Sequence, residues 1–381
     1  MLNSKLTKRI CAVACVLVMA LSLCGTALTI DAFAANAEGE EYNLQTLATT
    51  PVGVDEEYGI YQAAGKYLAD TNKSITYGDY KEGYLLGLGR AGYPVAEGLY
   101  PGYYDSVKDY IASNGTEGNY FNSVTECAKV VVALNAIGYD PTNIDGADIT
   151  PQLSNFDSVD GVWADAYTLI ALDTKKYESD AREIYIADIL LSQLDDGSWG
   201  WDNTTPDIDT TGIVLAALAP YYDSDEVVKA AVDEAISFLS ENQASSGAFA
   251  SYGSENSNST AMVVLGLSEL GINADTDERF VKNGVSAVDA LCSFAVYGGG
   301  FGWTDNTEVN DYSTNQAFYA LCSYFRNING QNRLFDMTPE KNVDPEPAPQ
   351  QPTDNEGTPT PDSSTVKVSK VPKTGDKLFI F

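Results

Sequence analysis

From residue 81 to residue 325 the chain sets out one hydrophobic pattern six times. A small or acidic residue is followed by a run of alanine and aliphatics that closes on a leucine. The runs end at Leu88, Leu134, Leu172, Leu218, Leu267 and Leu321, so the steps are 46, 38, 46, 49 and 54 residues. A near-regular period of this size marks a repeat architecture. The unit beginning near Asp223 reads most clearly. Ser224 caps a helix whose apolar positions Val228, Val232, Ala235, Ile236 and Leu239 keep helical spacing among Glu and Lys. Gln243 and Gly247 stop it, and the segment Ser259 to Leu267 that follows is apolar nearly all round, which requires burial. Each unit thus pairs an amphipathic outer helix with an apolar inner one. The pattern predicts an all-α fold over residues 51–337, an (α/α)6 toroid of six helix pairs. An open superhelix is the competing geometry; six units without polar capping repeats favour closure.

The loops between helices repeat as well. Gln193 to Trp199 and Gln243 to Phe249 share Gln, three residues, Gly, one residue, aromatic. Gly299-Gly300-Phe301 keeps the glycines and the aromatic, and Gly161-Val162-Trp163 is a shorter relative whose abbreviated loop accounts for the 38-residue step. Glycine permits the tight turn, and the aromatic plugs the gap between neighbouring pairs. These residues resemble the repeats of the terpene cyclase and prenyltransferase toroid superfamily, over all six units and most closely from about residue 180 to 325. The superfamily includes squalene and hopene cyclases, protein prenyltransferase β-subunits, complement thioester domains and the toroid of transcobalamin. The match is also similar to Firmicute surface proteins that carry such repeats.

The resemblance directs attention to Pro206-Asp207-Ile208-Asp209-Thr210-Thr211-Gly212. Class II terpene cyclases open an inner helix with Asp-x-Asp-Asp-Thr-Ala, and the central Asp protonates an alkene or epoxide. By that resemblance Asp207 and Asp209 are the candidate catalytic residues, and Thr211 matches the Thr. Thr210 replaces the third acid and Gly212 the alanine. The competing reading gives both acids to the helix start, with Asp209 as the cap and Asp207 in the preceding turn. A zinc prenyltransferase site needs His, and the chain has none; no Cys lies in a thioester segment. No metal and no resident cofactor are therefore expected. A glycosidase-like carboxylate pair is a third reading, drawn from Glu126, Asp165, Asp209 and Asp311. The candidate ligand-binding set is Trp163, Asp165, Trp199, Trp201, Tyr252, Trp303, Asp311 and Tyr312. Asp140 to Gly146 has the acid content of a calcium loop without its spacing or terminal Glu, and reads as a turn.

The ends read differently. Lys5, Lys8 and Arg9 precede an apolar stretch and Ala32-Phe33-Ala34, the pattern of a signal peptide over residues 1–34, with an uncleaved anchor as the alternative. Residues 35–50 read as a disordered N-terminal segment. Residues 338–370 form a Pro-, Asp- and Thr-rich linker. Residues 371–381 resemble a sortase signal, in which Pro372, Thr374 and Gly375 match, Val371 replaces the usual Leu, and the following hydrophobic span breaks off. The net charge of −32 argues against nucleic acid and anionic membranes. Cys127, Cys292 and Cys322 remain outside the leader, either as buried free thiols or with Cys292 bridged to Cys322. The expectation is an exported, wall-anchored monomer of a Gram-positive bacterium, with sortase and peptidoglycan as partners at its C-terminus. Its expected role is to bind a ligand rather than to catalyse. A corrinoid, a glycan, a peptide or an apolar small molecule are the candidate ligands; an enzyme using acids at the toroid mouth is the alternative.

Overall fold

A computed structural model of the chain describes residues 54–340, apart from 117 and 157–160, with side chains from residue 56 on. The signal peptide, the N-terminal segment, nearly all of the linker and the sorting residues Pro372, Thr374 and Gly375 lie outside the described residues. Eleven α-helices are present among those residues. The outer ones are α1 (Val54–Thr71), α3 (Leu99–Asn114), α6 (Arg182–Leu191), α8 (Glu226–Asn242) and the short α10 (Ala287–Cys292). The inner ones are α2 (Glu82–Ala91), α4 (Val124–Ala136), α5 (Val162–Asp173), α7 (Ile208–Leu218), α9 (Ser257–Glu269) and α11 (Asp311–Ile328). Two small antiparallel hairpins complete the described structure: Ala250–Ser251 with Ser254–Glu255, and Val281–Lys282 with Val285–Ser286. The fold is all-α. No helix among the described residues is long and apolar enough to cross a membrane.

The inner helices pack in a closed cycle. α2 lies on α4, α4 on α5, α5 on α7, α7 on α9, α9 on α11, and α11 returns to α2. That last contact joins the two ends of the repeat series and excludes the open superhelix. The inner helices run parallel: Asn258 near the start of α9 meets Ser313 near the start of α11, and Glu269 at the end of α9 meets Ser323 toward the end of α11. Burial explains their composition. Every residue of α9 is buried, and each large aliphatic so placed contributes roughly 1.5–3 kcal/mol.

One unit departs from the twelve-helix expectation. Between α4 and α5 the outer element is a five-residue 3-10 turn, Thr150–Ser154, in place of an α-helix. The short 38-residue step therefore reflects a missing outer helix as well as a shorter loop. Gln152 takes over part of the lost helix's role, accepting the amides of Tyr120 and Phe121 and donating to the Phe121 carbonyl at 2.8 Å.

The repeated loops form one joint built three times. Gln193 Nε2 donates to the Gly197 carbonyl at 2.9 Å and to Ala231 of α8 at 2.8 Å. Gln243 does the same with Gly247 and Phe280, at 2.7 and 2.9 Å. Gly197 and Gly247 both hold φ at 85°, where a side chain is strained. The aromatic that follows each turn, Trp199, Phe249 or Phe301, is fully buried. Its amide donates to the hydroxyl of Thr211, Thr260 or Thr314 in the first turn of the next inner helix. Cys127, Cys292 and Cys322 are buried free thiols.

Candidate functional site

Because the inner helices are parallel, their six N-termini meet at one end of the ring and bring their positive dipole ends together. At that mouth Asp207, Asn256 and Asn310 are equivalent. Each is an N-cap whose side chain accepts an amide three residues on, from Thr210, Ser259 and Ser313 respectively. Asp207 is therefore the cap, and Asp209 is not, which reverses the assignment expected of the two acids. The Thr210 hydroxyl that stands in the place of a third acid donates to Asp207 at 2.6 Å. Asparagine fills the same position twice, so the charge of Asp207 is not required for capping.

Asp209 follows two residues later in the first turn of α7, without a capping duty. Its Oδ1 is buried and makes no hydrogen bond. Burial pushes its carboxyl up to about 6; the Ser259 hydroxyl beside it lowers it in part, and Asp207 raises it. Tyr312 and Tyr319 of α11 lie close enough for Asp209 to raise both phenols, though burial is the main cause in each. The neighbouring interior is polar. Asn258 is hydrogen-bonded to Gln316, Ser313 donates to Asn258 at 2.8 Å, Gln316 donates to the Tyr312 hydroxyl at 3.2 Å, and Tyr319 donates to the Met262 sulfur at 3.4 Å. Across the ring Trp163 packs on Tyr167, and the Lys129 ammonium lies 5.6 Å from the Tyr167 ring centre.

Around this floor stands a rim of exposed aromatics. Trp201, Tyr252, Trp303 and Tyr312 are all exposed. Trp201 and Tyr252 flank a pocket of about 270 Å³ that also contains Asp207 and Ser251. The loop bearing Trp303 is held over the mouth, because the Trp303 carbonyl accepts the Ser257 amide at 2.8 Å. Other sequence candidates go elsewhere. Trp199 is fully buried and its indole N–H donates to the Ile189 carbonyl at 2.7 Å, so it is a plug with no surface for a ligand. Asp165 is buried, near Tyr185 of the outer layer, whose phenol is raised chiefly by burial and further by Asp165. It occupies the position of the joint threonines Thr211, Thr260 and Thr314. Asp311 accepts the Tyr67 hydroxyl at 2.9 Å, and Glu126 accepts the Tyr77 hydroxyl and the Asn122 amide. Each of these three acids answers to its own neighbours. Asp140 closes a turn by accepting Thr142, as expected.

A larger pocket, about 410 Å³, lies at the opposite end of the ring, and no motif in the chain announces it. Its principal charges are already partnered. Arg182 bonds Asp173 at 2.9 Å, Tyr221 donates to Asp173 at 2.5 Å, and Glu269 accepts the Leu334 amide at 2.8 Å and Ser323 at 2.6 Å. Arg90 fastens the segment after α11 there by donating to the carbonyls of Arg333, Leu334 and Asp336. Such satisfied groups build a joint. The mouth, with an unbonded carboxylate oxygen under exposed aromatics, is the better candidate for a site.

The acid at the mouth leaves a pH signature. The folded chain holds the Asp209 proton more tightly than the unfolded one, since its value near 6 exceeds the ordinary 3.8. The stability gained from that proton is complete below pH 3.8 and is lost as pH rises through 6. Asp209→Asn removes this loss and should stabilise the chain above pH 6 by about 3 kcal/mol, with no comparable gain at pH 4. Urea denaturation at the two pH values measures it.

No family model matches the chain, and no curated protein matches it. Among solved structures it is similar to ent-copalyl diphosphate synthase from Streptomyces platensis, at 19% identity and a TM-score of 0.43. The match covers 64% of this chain and 50% of that one, so the chain spans about half the length of the synthase.

Proposed function

We propose that the chain is an exported surface protein that binds a glycan at the mouth of the ring without transforming it. One observation carries the reading: four exposed aromatics, Trp201, Tyr252, Trp303 and Tyr312, stand at the end of the ring that also holds the polar groups Asp209, Asn258, Ser313 and Gln316. Flat aromatic faces suit the C–H faces of sugar rings, and the amides and hydroxyls suit their hydroxyl groups. Size favours the same ligand. The pocket of about 270 Å³ falls below the roughly 300–1,000 Å³ of sites that engulf a small molecule. A corrinoid or a polyprene would need more enclosed space, whereas a glycan lies across a rim.

Isothermal titration of the full chain with oligosaccharides, including peptidoglycan fragments, tests this. Trp201→Ala combined with Trp303→Ala should weaken binding at least tenfold, about 1.4 kcal/mol or more, while leaving the thermal midpoint nearly unchanged. Unaltered affinity in that double variant, or no glycan binding at all, rejects the proposal. A second reading is favoured by the raised Asp209 carboxyl, which could donate a proton to a bound substrate. Conversion of substrate that disappears in Asp209→Asn, with binding retained, would replace the binding role by an enzymatic one.

A further inference from the structure

Away from the mouth, three acids distant in sequence meet between the outer layer and the ring. Glu57 comes from α1, Asp275 from the loop after α9, and Asp289 from the first turn of α10. One carboxylate oxygen from each lies within 4.8 Å of the other two. Glu57 is fully buried, and neither of its oxygens makes a hydrogen bond of normal geometry, although the Tyr324 hydroxyl is close by. Asp289 is buried and accepts the Ser286 amide at 3.1 Å through one oxygen. Asp275 is half-buried, which leaves an approach from solvent.

We propose that Glu57, Asp275 and Asp289 bind a divalent calcium ion that fastens the first outer helix to the last repeat. Three converging carboxylates lose heavily by mutual repulsion and desolvation unless a cation or a proton sits among them. The donor set is all oxygen, which suits a hard cation. Two oxygens about 2.4 Å from a shared calcium stand up to about 4.8 Å apart, and the three oxygens here all lie within that span of one another. Calcium accepts a cage built of protein carboxylates, whereas magnesium gives up its waters reluctantly and is held by one or two carboxylates. Without an ion, burial and the two neighbouring acids push the Glu57 carboxyl up to about 8, so the cluster would hold a proton instead. The location gives the ion a structural role, since α1 packs on α11, the helix that closes the ring against α2, and α10 lies against α1.

The full chain, stripped with a chelator, is titrated with calcium chloride near neutral pH and at about 0.15 M salt, where diffuse attraction to its negative surface is screened. One saturable equivalent and a rise in thermal midpoint are expected. Asp275→Asn, on a partly exposed loop that should fold normally, is expected to weaken the affinity about tenfold or more, and Glu57→Gln to abolish it. Terbium emission excited through tyrosine gives a second readout, with Tyr324 beside the site. Absence of a saturable equivalent, or isotherms unchanged in both variants, overturns the proposal and leaves the cluster to a shared proton.

Discussion

Trp199→Ala lowers the unfolding free energy by about 3–5 kcal/mol, the range for deleting a large buried aromatic. Trp199 is the largest fully buried side chain, and hydrogen bonds from its indole and its backbone fix it. Its indole N–H donates to Ile189 of α6, its amide to the Thr211 hydroxyl, and its carbonyl accepts the Asp207 amide. Truncation leaves a cavity between α6 and α7 and removes the indole donor from the Ile189 carbonyl, which keeps only the Ser192 amide. Trp199→Phe should retain much of the volume and lose only the indole hydrogen bond, about 1–3 kcal/mol. Urea denaturation followed by far-UV circular dichroism separates the two. If Trp199→Ala unfolds within 1 kcal/mol of the parent, roughly the ordinary effect of any substitution, the plug account of this residue is wrong.

Gly212→Val should cost about 3 kcal/mol and loosen the packing of α7 on α9. A Cβ at Gly212 would stand 2.5 Å from the Met262 carbonyl oxygen, and one at Gly266 would stand 2.6 Å from the Gly212 carbonyl oxygen. The two inner helices touch through glycines on both sides. Even Gly212→Ala sets a helix-propensity gain of about 1 kcal/mol against an overpacking cost of about 1–3 kcal/mol. The obstructing atom is helix backbone, which cannot swing aside as a side chain would, so the cost wins. Valine adds two methyls to the same crowding. Gly102 in α3 supplies the control, since a Cβ there would meet nothing within 4 Å. Gly102→Ala should raise stability by up to about 1 kcal/mol. The same denaturation series reads all three variants, and a stabilising Gly212→Ala would contradict the close approach of the two helices.

This contact also explains why position 212 is glycine: the neighbouring helix backbone occupies the space a methyl would need. Asp207 and Asp209 are both visible in the sequence as acids at a helix start. Their division of labour is not, since spacing alone allows either to cap. The backbone φ of −139° at Asp207 and its bond to the Thr210 amide decide it, and leave Asp209 half-buried and free of capping. The rim residues Trp201 and Trp303 and the plug Trp199 likewise belong to one loop pattern; only packing separates an exposed indole from a buried one.

The six-unit period, the alternation of amphipathic and apolar helices and the glycine-aromatic joints are all written in the order of residues. They are local facts, because periodicity and turn chemistry act over a few residues. Three others arise only in the folded chain. The ring closes through α2 and α11, the third outer helix shrinks to a 3-10 turn, and Glu57, Asp275 and Asp289 gather from opposite ends of the fold. Such meetings depend on how distant segments pack, and no short-range pattern along the chain encodes them.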